Sequence, residues 1–426
     1  VVGQYIIVDA GPVQNAHGIR FFLLSHQHLA LLFHIVKKHT IIHEKRESPL
    51  VFYHDFGYYS AMSTFDNPIM FTRGNPAVEA LPVDTLSECA ASIFAKEGKV
   101  IFQYGHYSGY KPLRQWIADQ YHASIHQVLI GNSSMEFFTF CASVLLRDGD
   151  TVFLEYPSYD RAVTAMRRAG ADVVGIPLEK DGVDMAAFEE ALSRKAPRLF
   201  YTVADFQNPT GVTTSLEKRK RIAELADKHG FYIIEDAPYK ALRYHGEDVT
   251  AYKEIIPEQV LYINSFSKVL SPGIRVGFMI GPDSIMPTFH KWSEDTYIHP
   301  SLVTEGIVYE YCRRGLLEPN IEKLRNLYRP RLDGILKALD THMPGNVDWT
   351  RPEGGFFVAV YLPDTVDGKA LQENLKDFGV VTASGNGFFT DRKGDQFLRL
   401  PFCQMDPAEA EEGIKRIASA IRHYTR

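Results

Sequence analysis

Lys268 stands in the stretch Ser265-Phe-Ser-Lys268-Val-Leu-Ser-Pro-Gly-Ile-Arg275-Val-Gly277, between two apolar runs, Val260 to Ile263 and Val276 to Ile280. A lysine held among small residues at a strand end is desolvated, and a neighbouring cation lowers its pKa further, so its free amine can attack a carbonyl. Arg275, together with the hydroxyls of Ser265 and Ser267, forms a clamp suited to phosphate. An amine beside an anion clamp suits a phosphorylated aldehyde, captured at one end and anchored at the other. Alone, Lys268 would read as a solvated surface lysine; the serines, the Pro-Gly turn and the arginine at this spacing change that reading.

Other reactive residue types also fall at the ends of apolar runs. Val128-Leu-Ile130 leads into Gly131-Asn-Ser133-Ser134-Met135 and then a helical pattern at Phe138, Cys141 and Leu145. Small hydroxyl residues at a helix start expose free N–H groups at the positive end of the dipole and so favour an anion, although the same residues also make an ordinary N-cap. Phe231-Tyr-Ile-Ile-Glu-Asp236 ends a buried run on a carboxylate, which is costly without a cationic partner, and Tyr239 follows three residues later. Thr151 to Glu155 ends in Tyr156-Pro-Ser-Tyr159, and Arg198 to Ala204 runs into Phe206-Gln-Asn208-Pro-Thr-Gly211. Phe397-Leu-Arg399-Leu sets a guanidinium fork in a late strand.

These segments together resemble the class I/II aminotransferases of fold type I, the pyridoxal-phosphate enzymes related to aspartate aminotransferase. The resemblance runs from near Phe56 to the C-terminus and by motif lies nearest the 2-aminoadipate and aromatic aminotransferase group. It implies pyridoxal 5'-phosphate joined to Lys268, with its phosphate held by Ser133, Ser134, Met135, Ser265, Ser267 and Arg275. Many relatives carry a small residue where this chain has Met135, a difference expected to affect packing rather than the amide contact. The resemblance further implies a ring stacked on Tyr159, with Tyr156 close behind as an alternative, and a ring nitrogen facing Asp236. Asn208 and Tyr239 would hold its phenolic oxygen, and Arg399 would receive the substrate carboxylate near Asn208. Gly74, in the arm Ile69-Met-Phe-Thr-Arg-Gly74-Asn-Pro76, would let backbone approach that carboxylate. Tyr104, or alternatively Tyr107 or Tyr110, would reach the cofactor phosphate of a neighbouring subunit, which implies a homodimer with shared active sites. The implied partners are α-amino acids and 2-oxo acids, with 2-oxoglutarate as the acceptor. Arg73, Tyr159 and Phe357 are candidates for side-chain recognition.

The elements needed to position these groups follow from the pattern. Strands and helices alternate from about residue 86 to 320, which implies an α/β fold with a doubly wound, mostly parallel sheet and ligand groups at the strand C-terminal ends. Residues 55–85 are expected to form an N-terminal arm and part of a smaller α+β domain, 86–324 the large cofactor-binding domain, and 325–426 the C-terminal small domain. Thr214-Ser-Leu-Glu217 reads as a capping box, Trp349 to Leu362 as a strand, and Lys369 to Phe378 as a helix.

Composition narrows the alternatives. A net charge of -6 offers no basic field for nucleic acid. No run has the length of a membrane span, and four widely separated cysteines fit a reduced, cytoplasmic protein. Residues 1–54, an extension of uncertain status, hold seven of the 16 histidines. Within them Leu24-Ser-His26-Gln-His28-Leu-Ala30 resembles the opening of a metallo-β-lactamase-type hydrolase. Ala30 stands where the carboxylate ligand belongs, so no metal is expected. A β-lyase or decarboxylase using the same cofactor is the nearest alternative chemistry. An effector-sensing regulator is the alternative of another class, although residues 1–54 lack the basic helical pattern of a DNA-binding unit.

Overall fold

The computed structural model describes residues 67–426. Residues 1–54, including His26 and His28, lie outside the described residues. β1 (Ile69–Phe71) pairs in parallel with β12 (Val380–Thr382). The central sheet has eight strands in the spatial order β2 (Val128–Gly131), β9 (Gly277–Ile280), β8 (Val260–Ser265), β7 (Tyr232–Asp236), β6 (Leu199–Thr202), β3 (Thr151–Tyr156), β4 (Asp172–Glu179) and β5 (Gly182–Val183). Pairing is parallel from β8 through β4, while β9 runs against both its neighbours and β5 against β4. The α/β, mostly parallel sheet expected from the alternation is therefore present, and its inner strands are buried on both faces, as their continuous apolar runs require.

The strand order places the site. From β3 the chain moves outward to β4, and from β6 it moves the other way to β7, so the loops after β3 and β6 diverge. A crevice opens at such a switch point, outside the carboxyl ends of the strands. Tyr156 ends β3 and Tyr159 lies in the loop after it, while the loop after β6 carries Asn208. Asp236 and Ser265 are the last residues of β7 and β8.

A third sheet joins β10 (Asp348–Trp349), β11 (Phe357–Tyr361) and β13 (Phe397–Pro401), all antiparallel. The single strand expected over Trp349 to Leu362 is thus two strands, because Pro352 cannot join a ladder and the following Gly pair turns the chain back. The expected capping box also shifts: Ser215, not Thr214, caps the helix Leu216–His229, its hydroxyl accepting from Lys218 N. Gly230 ends that helix in the left-handed conformation, as expected. The helix expected over Lys369 to Phe378 stays α-helical only to Asn374 and then tightens into a 3-10 turn. Leu317–His342 is one long helix whose buried stripe includes Ile321, Leu324, Tyr328, Leu332, Ile335 and Leu339, and Pro407–His423 packs along it.

A buried arginine holds the segment that leads from β6 to Asn208. Arg219, fully buried, donates to the carbonyls of Ala204, Thr214 and Thr250 and, through two nitrogens, to the Asp205 carboxylate at 3.0 and 3.3 Å. Glu235, pushed up to about 7 by burial, lies 3.9 Å away, and the charge of Arg219 opposes that rise. Removing the guanidinium leaves two carboxyls and three carbonyls in a dry interior. Arg219→Ala is therefore expected to destabilise the protein by about 3–5 kcal/mol in denaturant titration. A loss below about 1 kcal/mol, the range of an exposed ion pair, would contradict this role.

Candidate active site

Lys268 follows β8 by three residues, and its Nζ donates to the carbonyl of Gly74 at 2.7 Å. Its amine lies 5.6 Å from the centre of the Phe356 ring and 5.9 Å from that of Tyr239. Burial lowers its pKa from 10.5 to about 8; Arg399 and Arg275 push in the same direction, against Cys403 and Asp236. Asp236, also buried, is pushed up to about 7, first by burial and then by the charge of Glu155, against the hydrogen bond from Tyr201 and the charge of Lys268. Its Oδ2 accepts from the Tyr201 hydroxyl at 2.9 Å, whereas its Oδ1 is buried with no partner among the described residues.

The anion end is built from three segments. Arg275, itself left-handed at φ 54°, donates to the carbonyl of Asn132 at 3.1 Å and to the Ser133 hydroxyl. Ser133 has φ 108° and ψ 169°, a conformation costly for any residue with a side chain, and it turns the chain into the helix that begins at Ser134. The first amides of that helix, at Ser134 and Met135, point outward from its N-terminus. Ser265 and Ser267 share a hydroxyl contact of 2.8 Å. The register sets Gly277 opposite both Gly131 and Ser265, and a Cβ there would stand 2.8 to 2.9 Å from the backbone of Ser133 and Ser134. Only glycine lets this loop lie against the strand.

At the other end of the crevice, Arg399 donates to Asn208 Oδ1 at 3.0 Å and to the carbonyl of Thr72 at 2.6 Å. Its guanidinium lies 4.7 Å from the Phe357 ring and 4.6 Å from the Phe388 ring, and its buried Nε has no partner among the described residues. Carbonyls of one short arm therefore meet three side chains of the crevice: Thr72 meets Arg399, Gly74 meets Lys268 and Asn75 meets the Cys403 thiol at 3.0 Å. Gly74 is required there because a Cβ would fall 2.3 Å from Cζ of Phe357.

The two candidate stacking tyrosines separate clearly. Tyr159 lies over the start of the Ser134 helix, its hydroxyl 3.6 Å from the Met135 sulfur, whereas Tyr156 turns away to Asp391 at 2.9 Å. Of the three tyrosines after residue 103, Tyr110 is buried against Tyr309 and Tyr107 lies on His106. Tyr104 is 76% exposed and meets His299 but none of this chain's crevice residues. Arg73 is exposed, and among the described residues it makes no hydrogen bond to a crevice side chain. Tyr201, Phe388 and Cys403 were not anticipated. Tyr201 sits in an apolar run whose facing only the register reveals, and Phe388 ends a short 3-10 helix, Gly385–Phe388, distant in sequence.

Lys268, Arg275, Arg399 and Asp236 converge on this crevice, and none forms an ion pair within 4.0 Å among the described residues. Two cationic ends, a central amine and an orphaned carboxylate oxygen match a group with a phosphate, an aldehyde and a protonated ring nitrogen, bound beside a substrate carboxylate. Pyridoxal phosphate fits that set. Among the described residues no cluster of three His, Cys, Asp or Glu could hold a metal.

Residues 67–417 match the family model of aminotransferase class I and II, and the chain belongs to that family of pyridoxal-phosphate enzymes. It is similar to aromatic-amino-acid aminotransferase 1 of Thermococcus litoralis, 34% identical over 366 residues that cover 83% of this chain and 88% of that protein. It is likewise similar to the 2-aminoadipate transaminase of Thermus thermophilus, 33% identical over 83% of this chain and 90% of that one. The crystal structure of a kynurenine aminotransferase from Pyrococcus horikoshii, solved with PMP, superposes with a TM-score of 0.81 at 33% identity, over 84% of this chain and 91% of that one. The protein is an aminotransferase that moves an amino group from an amino acid to a 2-oxo acid.

Two outcomes follow from the geometry. Gly277→Ala is expected to weaken pyridoxal phosphate binding at least about tenfold in an equilibrium titration, because the clash displaces the Ser133 turn; unchanged affinity would show that the turn does not hold the phosphate. Capture of the aldehyde needs the neutral amine, so the capture rate of the cofactor-free protein is expected to rise with pH and level off above about 8. Continued rise towards 10.5 would mark an ordinary lysine.

Proposed function

We propose that this chain transfers the amino group of a long or aromatic α-amino acid to 2-oxoglutarate, with the residues of the crevice in the following roles. The observation that supports the reading best is the set of unpaired charges at Lys268, Asp236 and Arg399. Pyridoxal phosphate, when bound, supplies an aldehyde for the amine and a ring that takes up the electrons of the broken Cα–H bond. Ser133, Ser134, Met135, Ser265, Ser267 and Arg275 would hold the phosphate through hydroxyls, helix amides and guanidinium. Tyr159 would support the ring, and Asp236 Oδ1, which has no partner among the described residues, would accept from the ring nitrogen. Asn208, whose Oδ1 is taken by Arg399, would offer its NH2 to the phenolic oxygen together with the Tyr239 hydroxyl.

Arg399 exchanges its weak carbonyl partners for the substrate carboxylate, a charge-assisted pair in a buried setting. That contact, with Asn208 and the Gly74 arm beside it, turns the Cα–H bond towards Lys268. With the cofactor bound, the freed Lys268 amine would act as the base that takes the proton from Cα and as the acid that gives it back. The names of the relatives support aromatic and 2-aminoadipate-type donors. The exposure of Tyr104 supports a homodimer in which this tyrosine completes the partner's phosphate site. Four buried, unpaired cysteines support a reducing, cytoplasmic setting. Among the described residues no helix is long and apolar enough to cross a membrane. Residues 86–324 are taken as the large domain, and 55–85 with 325–426 as the small one.

A panel of amino donors against 2-oxoglutarate and pyruvate tests this reading. Turnover without release of ammonia or carbon dioxide is expected. Lys268→Ala is expected to lose at least about 10²–10⁴-fold in kcat, and Arg399→Ala about a hundredfold in kcat/KM. Wild-type rates in Lys268→Ala would overturn the assignment.

A further inference from the structure

Asp236 keeps one carboxylate oxygen free because the other is capped by Tyr201. The Tyr201 phenol, fully buried, donates to Asp236 Oδ2 at 2.9 Å, and no other hydrogen bond reaches that carboxylate among the described residues. The Phe138 ring meets Tyr201 edge-on at 5.4 Å and 85°, and also meets Tyr159 at 6.3 Å. The register explains the contact: β6 pairs Tyr201 with Ile234, so Tyr201 and Asp236, two residues further along β7, project from the same face of the sheet.

We infer that Tyr201 is a positioning residue for the transfer reaction, holding Asp236 with Oδ1 towards the cofactor's ring nitrogen and keeping the shared proton on that nitrogen. This rests on the reading that Asp236 faces the ring nitrogen. A hydrogen bond to an ionised carboxylate lowers its hold on a proton. Here it opposes two influences in the other direction: burial, and the charge of Glu155 on β3, two strands away. Without the phenol both influences draw the proton onto Asp236 and away from the ring, and Oδ2 is left bare in a dry interior. The ring then accepts electrons less readily, so the loss falls on the chemical step rather than on substrate binding.

Tyr201→Phe removes one oxygen and keeps the packing on Phe138. In the holoenzyme kcat is expected to fall about ten- to a hundredfold, with KM for the amino acid changed less than about twofold. The magnetic-resonance signal of an isotopically labelled ring nitrogen is expected to move towards its unprotonated position. Asp236→Ala should move that signal further, and adding Tyr201→Phe to it should change neither signal nor rate, because the two act as one unit. A signal unmoved in Tyr201→Phe but moved in Asp236→Ala overturns the role of Tyr201 and leaves that of Asp236 standing. A signal unmoved in Asp236→Ala overturns both. Where Tyr201→Phe folds poorly, a fluorotyrosine at this position, a stronger donor of the same shape, is expected to drive the signal towards the protonated side; no movement overturns the inference.

Discussion

The structure depends on charge left unpaired in a crevice that excludes much of the surrounding water. A buried guanidinium at Arg399, a desolvated amine at Lys268 and a carboxylate at Asp236 each lack an ion pair within 4.0 Å among the described residues. Burying such groups is expensive, and a chain that gathers them around one crevice requires a ligand to complete them. The contrast with Arg219 makes the point. That arginine, also buried, spends its donors on Asp205 and three carbonyls and stabilises the fold, whereas Arg399 holds only neutral oxygens that a carboxylate can replace.

The fold achieves this by topology. Chain reversal between β3 and β6 opens the crevice, and parallel strands deliver Asp236, Ser265 and the Asn208 loop to one edge. The arm before β2 closes the opposite wall through backbone carbonyls, so the amine and the substrate-binding arginine are oriented by main chain rather than by acids that would neutralise them. Backbone strain at Ser133 and the absence of a side chain at Gly277 belong to the same construction. Both serve to bring a helix N-terminus within reach of Arg275.

Much of this was legible in the residues, and the reasons differ by element. The central strands were readable because apolar runs buried on both faces carry no alternation, and Asp236 was conspicuous because a carboxylate closes such a run. Family resemblance, more than periodicity, singled out Asn208 and Arg399, whose local patterns are those of a common turn and an edge strand. Tyr201 was invisible: its partner is set by the pairing of β6 with β7, and sequence spacing carries no trace of that register. The hairpin between β10 and β11 was read as one strand because its flanks are apolar, although Pro352 and the Gly pair marked the break. Phe388 joins the crevice from a short 3-10 helix far along the chain, a contact that only tertiary structure supplies.

The most direct test of the central claim is borohydride reduction of the protein loaded with pyridoxal phosphate, followed by mass spectrometry of its peptides. The cofactor is expected to be fixed to the peptide carrying Lys268, at one equivalent per chain, and to be absent from that peptide when cofactor is withheld. Label spread over exposed lysines, or an unmodified Lys268, would contradict the account.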